Sequence, residues 1–318
     1  MLPVGSAVGA VLRRAATRAA PLPAPRRARL LALTAAHLGF PDLRQSLCSV
    51  CDQPPTPLWA HTLGTAHQEL TGHTSSVNAV AIGQLNGRDV IVSGNQDATV
   101  RIWDGAGAPV GGPLTGHTDS VFAEAVGQLN GRDVIVSGSE DDTVRIWDGA
   151  GTPVGEPLTG HTSAVNALAV GQLDGRDVIV SGSQDHTVRI WDGAGAPVGE
   201  PLTGHTSAVS GVAVGQLDGR DVIVSSDDAT VRIWDGAGTP VGDPLTGHTN
   251  SVVAVAVGQL DGRDVIVSGS DDGTVRIWDS AGRPLTNIDL LAPCSSLYMT
   301  TDRIYVATGR AISAFTSS

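Results

Sequence analysis

The chain has 318 residues, of which 41% are hydrophobic, so it can bury a substantial core, and its net charge is −12. The first 41 residues contain six arginines and no acid, which makes the rest of the chain more acidic still. An acidic body lacks the basic patches that contact phosphates, so nucleic acid is not the expected partner. The sequence has no apolar run of about 18 residues that could span a membrane, and its three cysteines do not form a disulfide framework.

Residues 1–29 form an Arg-, Ala- and Pro-rich leader, which we expect to be disordered or to supply part of a closing strand through residues 20–26. Its apolar run precedes its arginines, which is the reverse of the order in a secretory signal. Sparse, unpaired cysteines indicate a reducing compartment, and we expect a cytoplasmic protein. An Arg-rich, acid-free start also fits an organelle transit peptide, so that alternative stays open.

One nine-residue sequence recurs along the chain at a nearly constant interval. TVRIWDGAG begins at residues 99, 143, 187 and 230, and TVRIWDSAG begins at 274. The intervals are 44, 44, 43 and 44 residues. A fixed period in this range is typical of repeat architectures, so residues 70–279 are predicted to hold five copies of one unit.

Each unit is predicted to be a four-stranded antiparallel meander. In the first clear repeat, short β-forming runs lie at residues 76–83, 89–93 and 99–103, with a looser run around 108–114. Asn-Gly, or Asp-Gly in later repeats, predicts a tight hairpin between the first two strands. Such a sheet cannot bury both faces alone, whereas several sheets in a ring can, and closure protects their edges. The sequence therefore predicts an all-β fold, a β-propeller.

Each repeat also carries Gly-His about thirty residues before Trp-Asp, a pattern that resembles the WD40 repeat. The pairs are Gly72-His73 with Trp103-Asp104, Gly116-His117 with Trp147-Asp148, Gly160-His161 with Trp191-Asp192, Gly204-His205 with Trp234-Asp235, and Gly247-His248 with Trp278-Asp279. The resemblance implies a propeller that usually has seven blades and usually binds partners on one face.

The flanks of the five repeats are expected to complete the propeller, which would span residues 30–318. Residues 30–69 resemble a degenerate repeat, because Trp59 aligns with Trp103 although the Gly-His and the Asp after Trp59 are lost. Residues 280–318 read as a degenerate C-terminal blade. We expect seven blades; six, with the ring closed by residues 65–70, and a chain that stops short of a complete ring are the alternatives.

A His, a Ser, an Asp and a Trp recur in fixed order in every clear repeat. A hydrolase would use such a set once and not five times, and the resemblance implies a hydrogen-bond network within each blade instead. The fourth repeat is one residue shorter, and there we predict that Asp228 still reaches His205, with strain. The sets are His73, Ser93, Asp97 and Trp103; His117, Ser137, Asp141 and Trp147; His161, Ser181, Asp185 and Trp191; His205, Ser225, Asp228 and Trp234; and His248, Ser268, Asp272 and Trp278.

Other candidate chemistry is weak. Cys48-x-x-Cys51 lacks the further ligands of a zinc site, and the repeated DGRD lacks the alternating acids of a calcium loop. We predict no metal, no cofactor and no catalytic residue. The third-strand arginines are predicted to pack beside Trp and to pair with acids of neighbouring strands: Arg101, Arg145, Arg189, Arg232 and Arg276.

Differences among the near-identical repeats indicate a binding face. They cluster in the link after Gly-His, at the start of the first strand, and beside the turn Asp. The predicted partner-binding residues are Ser76, Asn78, Asp119, Ser120, Phe122, Glu124, Asp142, Asn166, His186, Ser210 and Val253. Asp119, Glu124, Glu140, Asp142, Asp227 and Asp271 would make this face acidic, and Phe122 would be its apolar anchor.

These observations predict a monomeric, non-enzymatic scaffold for protein–protein interaction, with a basic peptide segment as the hypothesised ligand. The alternative is a sensor or regulatory module of a signalling system that acts with, or was once fused to, an effector enzyme. An enzyme using the channel acid Glu124 and a recently duplicated array without a settled partner are the remaining hypotheses.

Overall fold

The computed structural model describes residues 70–227, 229–290, 292–299, 303–308 and 312–316. These residues form β-strands and no helix, which confirms the predicted all-β class, and none of them forms a helix that could cross a membrane. The predictions for the leader, for the degenerate repeat at 30–69 and for Asp228 fall outside the described residues.

The first four sheets have three antiparallel strands each, in chain order. Their strands are β1 (Val77–Leu85), β2 (Arg88–Asn95) and β3 (Val100–Asp104); β4 (Val121–Leu129), β5 (Arg132–Ser139) and β6 (Val144–Asp148); β7 (Val165–Leu173), β8 (Arg176–Ser183) and β9 (Val188–Asp192); β10 (Gly211–Leu217), β11 (Arg220–Ser226) and β12 (Val231–Asp235).

The last two described sheets differ in strand number. The fifth sheet has four strands and the sixth has three among the described residues. They are β13 (Val252–Leu260), β14 (Arg263–Ser270), β15 (Thr274–Asp279) and β16 (Pro284–Asp289), followed by β17 (Cys294–Met299), β18 (Arg303–Thr308) and β19 (Ile312–Thr316).

The hairpin between the first two strands of each repeat is confirmed. Asn86 and Gly87 have φ angles of 54° and 71°, and Leu85 pairs with Arg88 across the two-residue loop. Positive φ at both central residues is the type I′ geometry that matches the twist of the strands. Asp174 and Gly175 repeat it, with φ angles of 50° and 71°.

The predicted fourth run is a continuous strand in the fifth sheet alone among the described sheets. In the first sheet it is held to β3 by two isolated bridges, from Val100 to Leu114 and from Trp103 to Pro109. Proline has no N–H for the ladder, and Gly111 between the two bridges has a φ of 73° that breaks the extended path. The fifth repeat lacks this Pro-Val-Gly sequence, so β16 forms.

Consecutive sheets pack face to face, with each first strand against the first strand of the next sheet. Ile135 and Trp147 of the second sheet join one buried cluster with Val92, Val100 and Ile102 of the first. The same arrangement is repeated between the later sheets. The core therefore lies between sheets, as a radial arrangement requires.

In the second to fifth sheets, an aspartate at the start of the second strand also ties the sheet to the previous one. Asp177 accepts a hydrogen bond of 2.7 Å from Gln172 in its own sheet and one of 2.6 Å from the backbone N–H of Asn130 in the preceding hairpin. The same inter-sheet bond links Asn86 to Asp133, Asp174 to Asp221 and Asp218 to Asp264.

The turn between second and third strands holds one residue in the left-handed region. This residue follows the turn Asp, and its φ is 61° at Ala98, 65° at Asp142, 68° at His186 and 82° at Gly273. A Cβ disfavours this conformation, so only the fifth repeat has a residue that adopts it without strain.

We predict that Ala98→Gly raises the free energy of unfolding by about 0.5–1 kcal/mol, because it removes this strain. Urea denaturation measures the change. The matched control is Gly273→Ala, which should lower stability by a similar amount. A loss of stability in Ala98→Gly would contradict the prediction.

Candidate functional site

The recurrent His, Ser, Asp and Trp meet inside each of the five sheets. In the second sheet, Trp147 Nε1 donates to Ser137 Oγ at 2.9 Å, and the same oxygen lies 2.9 Å from His117 Nε2. His117 Nδ1 lies 2.9 Å from Asp141 Oδ2. Every polar group has a partner if the Ser hydroxyl donates to Nε2 and Nδ1–H donates to the carboxylate. This arrangement corresponds to a neutral histidine that is protonated on Nδ1.

This geometry is structural and does not resemble a working nucleophile. Ser137 is completely buried, and its oxygen already accepts the indole N–H of Trp147. Thr143 Oγ1 donates to Asp141 at 2.7 Å and so anchors the far end of the chain of bonds. A closed, buried polar network of this kind holds strands in one arrangement.

Electrostatics in the network favour an ionised Asp and a neutral His. Burial opposes ionisation of Asp97, but hydrogen bonds from Thr99, from the Thr74 backbone and from His73 outweigh it and lower the Asp97 pKa to about 2. Hydrogen bonds likewise overcome burial and lower the pKa of Asp141. Burial lowers the pKa values of His73 and His248 despite their aspartate neighbours.

In the fourth repeat, the described aspartate beside the histidine is Asp227, and the predicted Asp228 lies outside the described residues. Asp227 Oδ2 lies 3.1 Å from His205 Nδ1, and Asp227 accepts bonds from the Thr206 backbone and from Thr230. The turn is one residue shorter, and Asp227 makes the contacts with threonine that Asp141 makes in the second repeat. The alignment is poor, and the buried Nδ1 makes no well-formed hydrogen bond. Asp227 is only 2% exposed, which also removes it from the predicted acidic face.

The third-strand arginines differ from their prediction as well. Arg101 Nη2 donates to the carbonyl of Gly72 at 2.9 Å, and no acid of the described residues pairs with it. Arg232 and Arg276 contact Gly204 and Gly247 in the same way. The guanidinium lies so close to Gly72 that a Cβ there would be 2.7 Å from Nη1. Together with positive φ angles such as 138° at Gly204, this contact favours glycine before the histidine.

The link after Gly-His and the turn before the third strand form one edge of each sheet. The Glu140 N–H donates to the carbonyl of Ser120 at 2.9 Å, and the Gln184 N–H donates to Ala164 in the same way. Among the predicted binding residues, Ser76, Asp119 and His186 are exposed on this edge, and Ser120 and Asp142 are half-buried.

The other predicted binding residues lie at the start of first strands or just before them. Asn78 donates to the Val121 carbonyl of the next sheet at 3.2 Å, and Asn166 accepts a bond of 3.4 Å from Gln184. Ser210 contacts the Ala208 carbonyl at 3.5 Å, and Val253 is half-buried. These four residues serve contacts within the protein.

Phe122 is the second residue of β4 and lies where the strand register shifts. The strand register moves from Val121 opposite Ser139 to Ala123 opposite Gly138, so Phe122 is the extra residue of a β-bulge. Bulges redirect side chains, and Phe122 remains half-buried at the same end of the sheet as Asp119 and Glu140.

Glu124 does not belong to the acidic face. Its two carboxylate oxygens are buried and have no hydrogen-bond partner among the described residues. The carboxylate packs against Gly94 of the first sheet, where a Cβ would collide with it. Burial raises the Glu124 pKa well above its usual range. The corresponding residues of the other repeats are apolar: Val80, Leu168, Val212 and Val255.

Asp119, Glu140 and Asp271 are exposed and Asp142 is half-buried, and we call these four residues the acidic edge. Asp119, Glu140 and Asp142 belong to the second sheet, beside Phe122. Across the described ranges, no three His, Cys, Asp or Glu side chains are grouped to hold a metal ion. Cys294 is a buried thiol that donates to the Ser296 carbonyl at 3.6 Å, while Cys48 and Cys51 lie outside the described residues.

Sequence reasoning missed the inter-sheet role of the aspartate that begins the second strand of the second to fifth sheets. The recurrence of this aspartate at the same position of every clear repeat was a signal that could have indicated a structural role. The burial of Glu124 also had a signal, since every other clear repeat places an aliphatic residue at that position.

Comparison with protein families gives one match that covers more than half of the chain. The family described as WD domain, G-beta repeat, matches residues 64–104, 109–148, 151–192, 195–235 and 238–279. No curated protein matches the chain.

We predict that Glu124→Leu stabilises the protein by about 1–3 kcal/mol near neutral pH, because it replaces an unpartnered buried acid with the residue of the next repeat. Because burial raises the folded pKa of Glu124 above its unfolded value, the destabilising contribution of Glu124 is absent below about pH 4 and grows as pH rises towards the folded pKa. The stability difference should therefore grow between pH 4 and 8.

Chemical denaturation across this pH range measures that difference. Glu140→Leu is the matched control, since Glu140 is an exposed glutamate of the same sheet, and it should change stability by less than about 0.5 kcal/mol. A Glu124→Leu effect that is equal at every pH would contradict the prediction.

Proposed function

Because the chain belongs to the WD40-repeat family, whose repeats generally mediate protein–protein interaction, we propose that it is a non-enzymatic scaffold that binds a protein partner. The proposal includes a cytoplasmic location and no cofactor. It is supported by the burial of the only recurrent Ser-His-Asp sets, in which the hydroxyl is already engaged by tryptophan.

We propose that the partner binds the acidic edge at the second sheet. The observation that carries this proposal is the bond from the Glu140 N–H to the Ser120 carbonyl, which holds link and turn together. It keeps Asp119, Glu140 and Asp142 on one edge, at the end of the sheet where the β4 bulge places Phe122. Three acids beside an aromatic side chain suit a basic segment that also carries an apolar residue.

We further propose a ring of seven blades. Six sheets are described between Leu70 and Thr316, and residues 30–69 align with the repeats after a shift of 44 positions. A sheet formed by residues 30–69 would precede the first described sheet and complete the seven.

The inter-sheet aspartates offer a test of the blade number. Asp89 corresponds to Asp133, but it accepts a bond from Gln84 alone among the described residues. If a sheet precedes β1, Asp89→Ala should cost as much stability as Asp133→Ala, about 1–2 kcal/mol. A much smaller cost in thermal or urea unfolding would count against a preceding blade.

Binding at the acidic edge predicts different kinetic effects for two substitutions. Glu140→Arg should slow association with a captured partner about tenfold at low salt and reduce its salt dependence. Phe122→Ala should accelerate dissociation about thirtyfold if Phe122 is an anchor. Partners are first captured from a lysate of the source cell, and rates are then measured by surface binding.

Glu156→Arg is the control, because Glu156 is an exposed acid on the outer run of the second sheet. It changes the net charge equally and should leave both rates unchanged. All variants are compared at equal thermal stability. If Glu140→Arg and Glu156→Arg behave alike, the acidic edge is not the binding surface.

A further inference from the structure

The outer edge of the fifth sheet differs from the outer edges of the four sheets before it. In those sheets the fourth run carries two prolines around a glycine with φ near 71–73°, as at Gly111, Gly155, Gly199 and Gly242. Proline and irregular backbone prevent an edge from pairing with another strand. β16 has a proline only at its first position, and it is a continuous strand of six residues.

The β16 edge is open to solvent along nearly its whole length. Five of its six residues are exposed, and Leu285 is 49% exposed, the most exposed large apolar side chain in the described structure. A continuous, exposed edge strand is a template for another strand.

The ladder shows which backbone groups of β16 face outward. The Leu290 N–H donates to Gly273 at 2.7 Å, and the register continues with Val275 opposite Ile288. Bonded pairs alternate along an antiparallel ladder, so Ile288 directs its backbone groups to β15, whereas Asn287 and Asp289 direct theirs outward. In the described part of the chain, no hydrogen bond reaches the outward backbone groups of Asn287 and Asp289.

Charge at the two ends of this edge is self-complementary. Arg283 lies just before β16 and Asp289 is its last residue, and both are exposed. When two copies of the strand pair antiparallel, each Arg283 end lies beside the Asp289 end of the other copy. Parallel pairing would instead bring like charges together.

We propose that β16 pairs antiparallel with β16 of a second copy of this chain and forms a symmetric dimer. A two-fold interface uses the same patch on both copies. This strand can form one because its outward N–H and C=O groups can pair with those of a second copy, and its terminal charges are complementary to those of a second copy. The contact is small, so the dimer is weak and depends on concentration. The inference is independent of the acidic edge and revises the predicted monomeric state.

Sedimentation equilibrium of the full chain tests the proposal. The average mass should rise towards that of a dimer as concentration increases through about 10–500 μM. A chain that stays monomeric throughout this range overturns the proposal.

Charge exchange tests the pairing itself. Asp289→Arg and Arg283→Asp should each weaken the dimer about tenfold, because each loses two ion pairs and juxtaposes like charges twice. The double variant Arg283→Asp with Asp289→Arg should restore dimerisation. Asp243→Arg is the control, since Asp243 is an exposed acid on the outer run of the fourth sheet. If the charge variants dimerise as strongly as the wild type, the dimer interface lies on another surface and the proposal is overturned.

A backbone test complements the charges. Asn287→Pro removes one outward N–H without removing a bond to β15, and proline is tolerated at such edge positions. It should abolish dimerisation while the thermal midpoint stays near that of the wild type. Should Asn287→Pro fail to fold, the charge exchange still decides the question; a folded Asn287→Pro variant that dimerises normally overturns it.

Discussion

In the second to fifth sheets, burial of one tryptophan against the preceding sheet is the contact on which the rest of this structure depends. Trp147 packs with strands of the first sheet, and Trp191, Trp234 and Trp278 repeat the contact along the chain. An indole is a large apolar group with one N–H that needs a partner when it is buried. The serine, the histidine and the aspartate follow from that requirement, because each satisfies the polar group introduced by the one before it.

The second and third strands of each sheet are therefore nearly identical between repeats. The differences between repeats lie in the turns, in the first strands and in the outer runs. The shortened turn of the fourth repeat recruits Asp227 and leaves His205 poorly bonded. Glu124 occupies an aliphatic position between two sheets, and β16 replaces an irregular outer run with a regular strand. We propose interaction surfaces at residues that differ between repeats, since identical strands cannot distinguish one partner from another.

Much of this fold could be predicted because its determinants are local to one repeat. Asn-Gly and Asp-Gly specify the hairpins, β-branched runs specify the strands, and Pro-Val-Gly explains why the outer run is irregular. The inter-sheet bond from Asn130 to Asp177 spans 47 residues, and no local pattern identifies its partner. The seventh sheet and the state of the N-terminal segment stay predictions for the same reason, because they depend on contacts with distant residues.

The sequence by itself determined the repeat, its strands and turns, and the four side chains of the network, since each repeat contains all the groups that satisfy one another. Only the tertiary structure decided which varied residues are exposed at the sheet edges and which face a neighbouring sheet. Simple alternation along β4 would place Val121 and Glu124 on opposite faces. The bulge at Phe122 shifts the register, so both side chains meet Gly94 of the first sheet. An acid that seemed to belong to the binding face is thereby buried between two sheets.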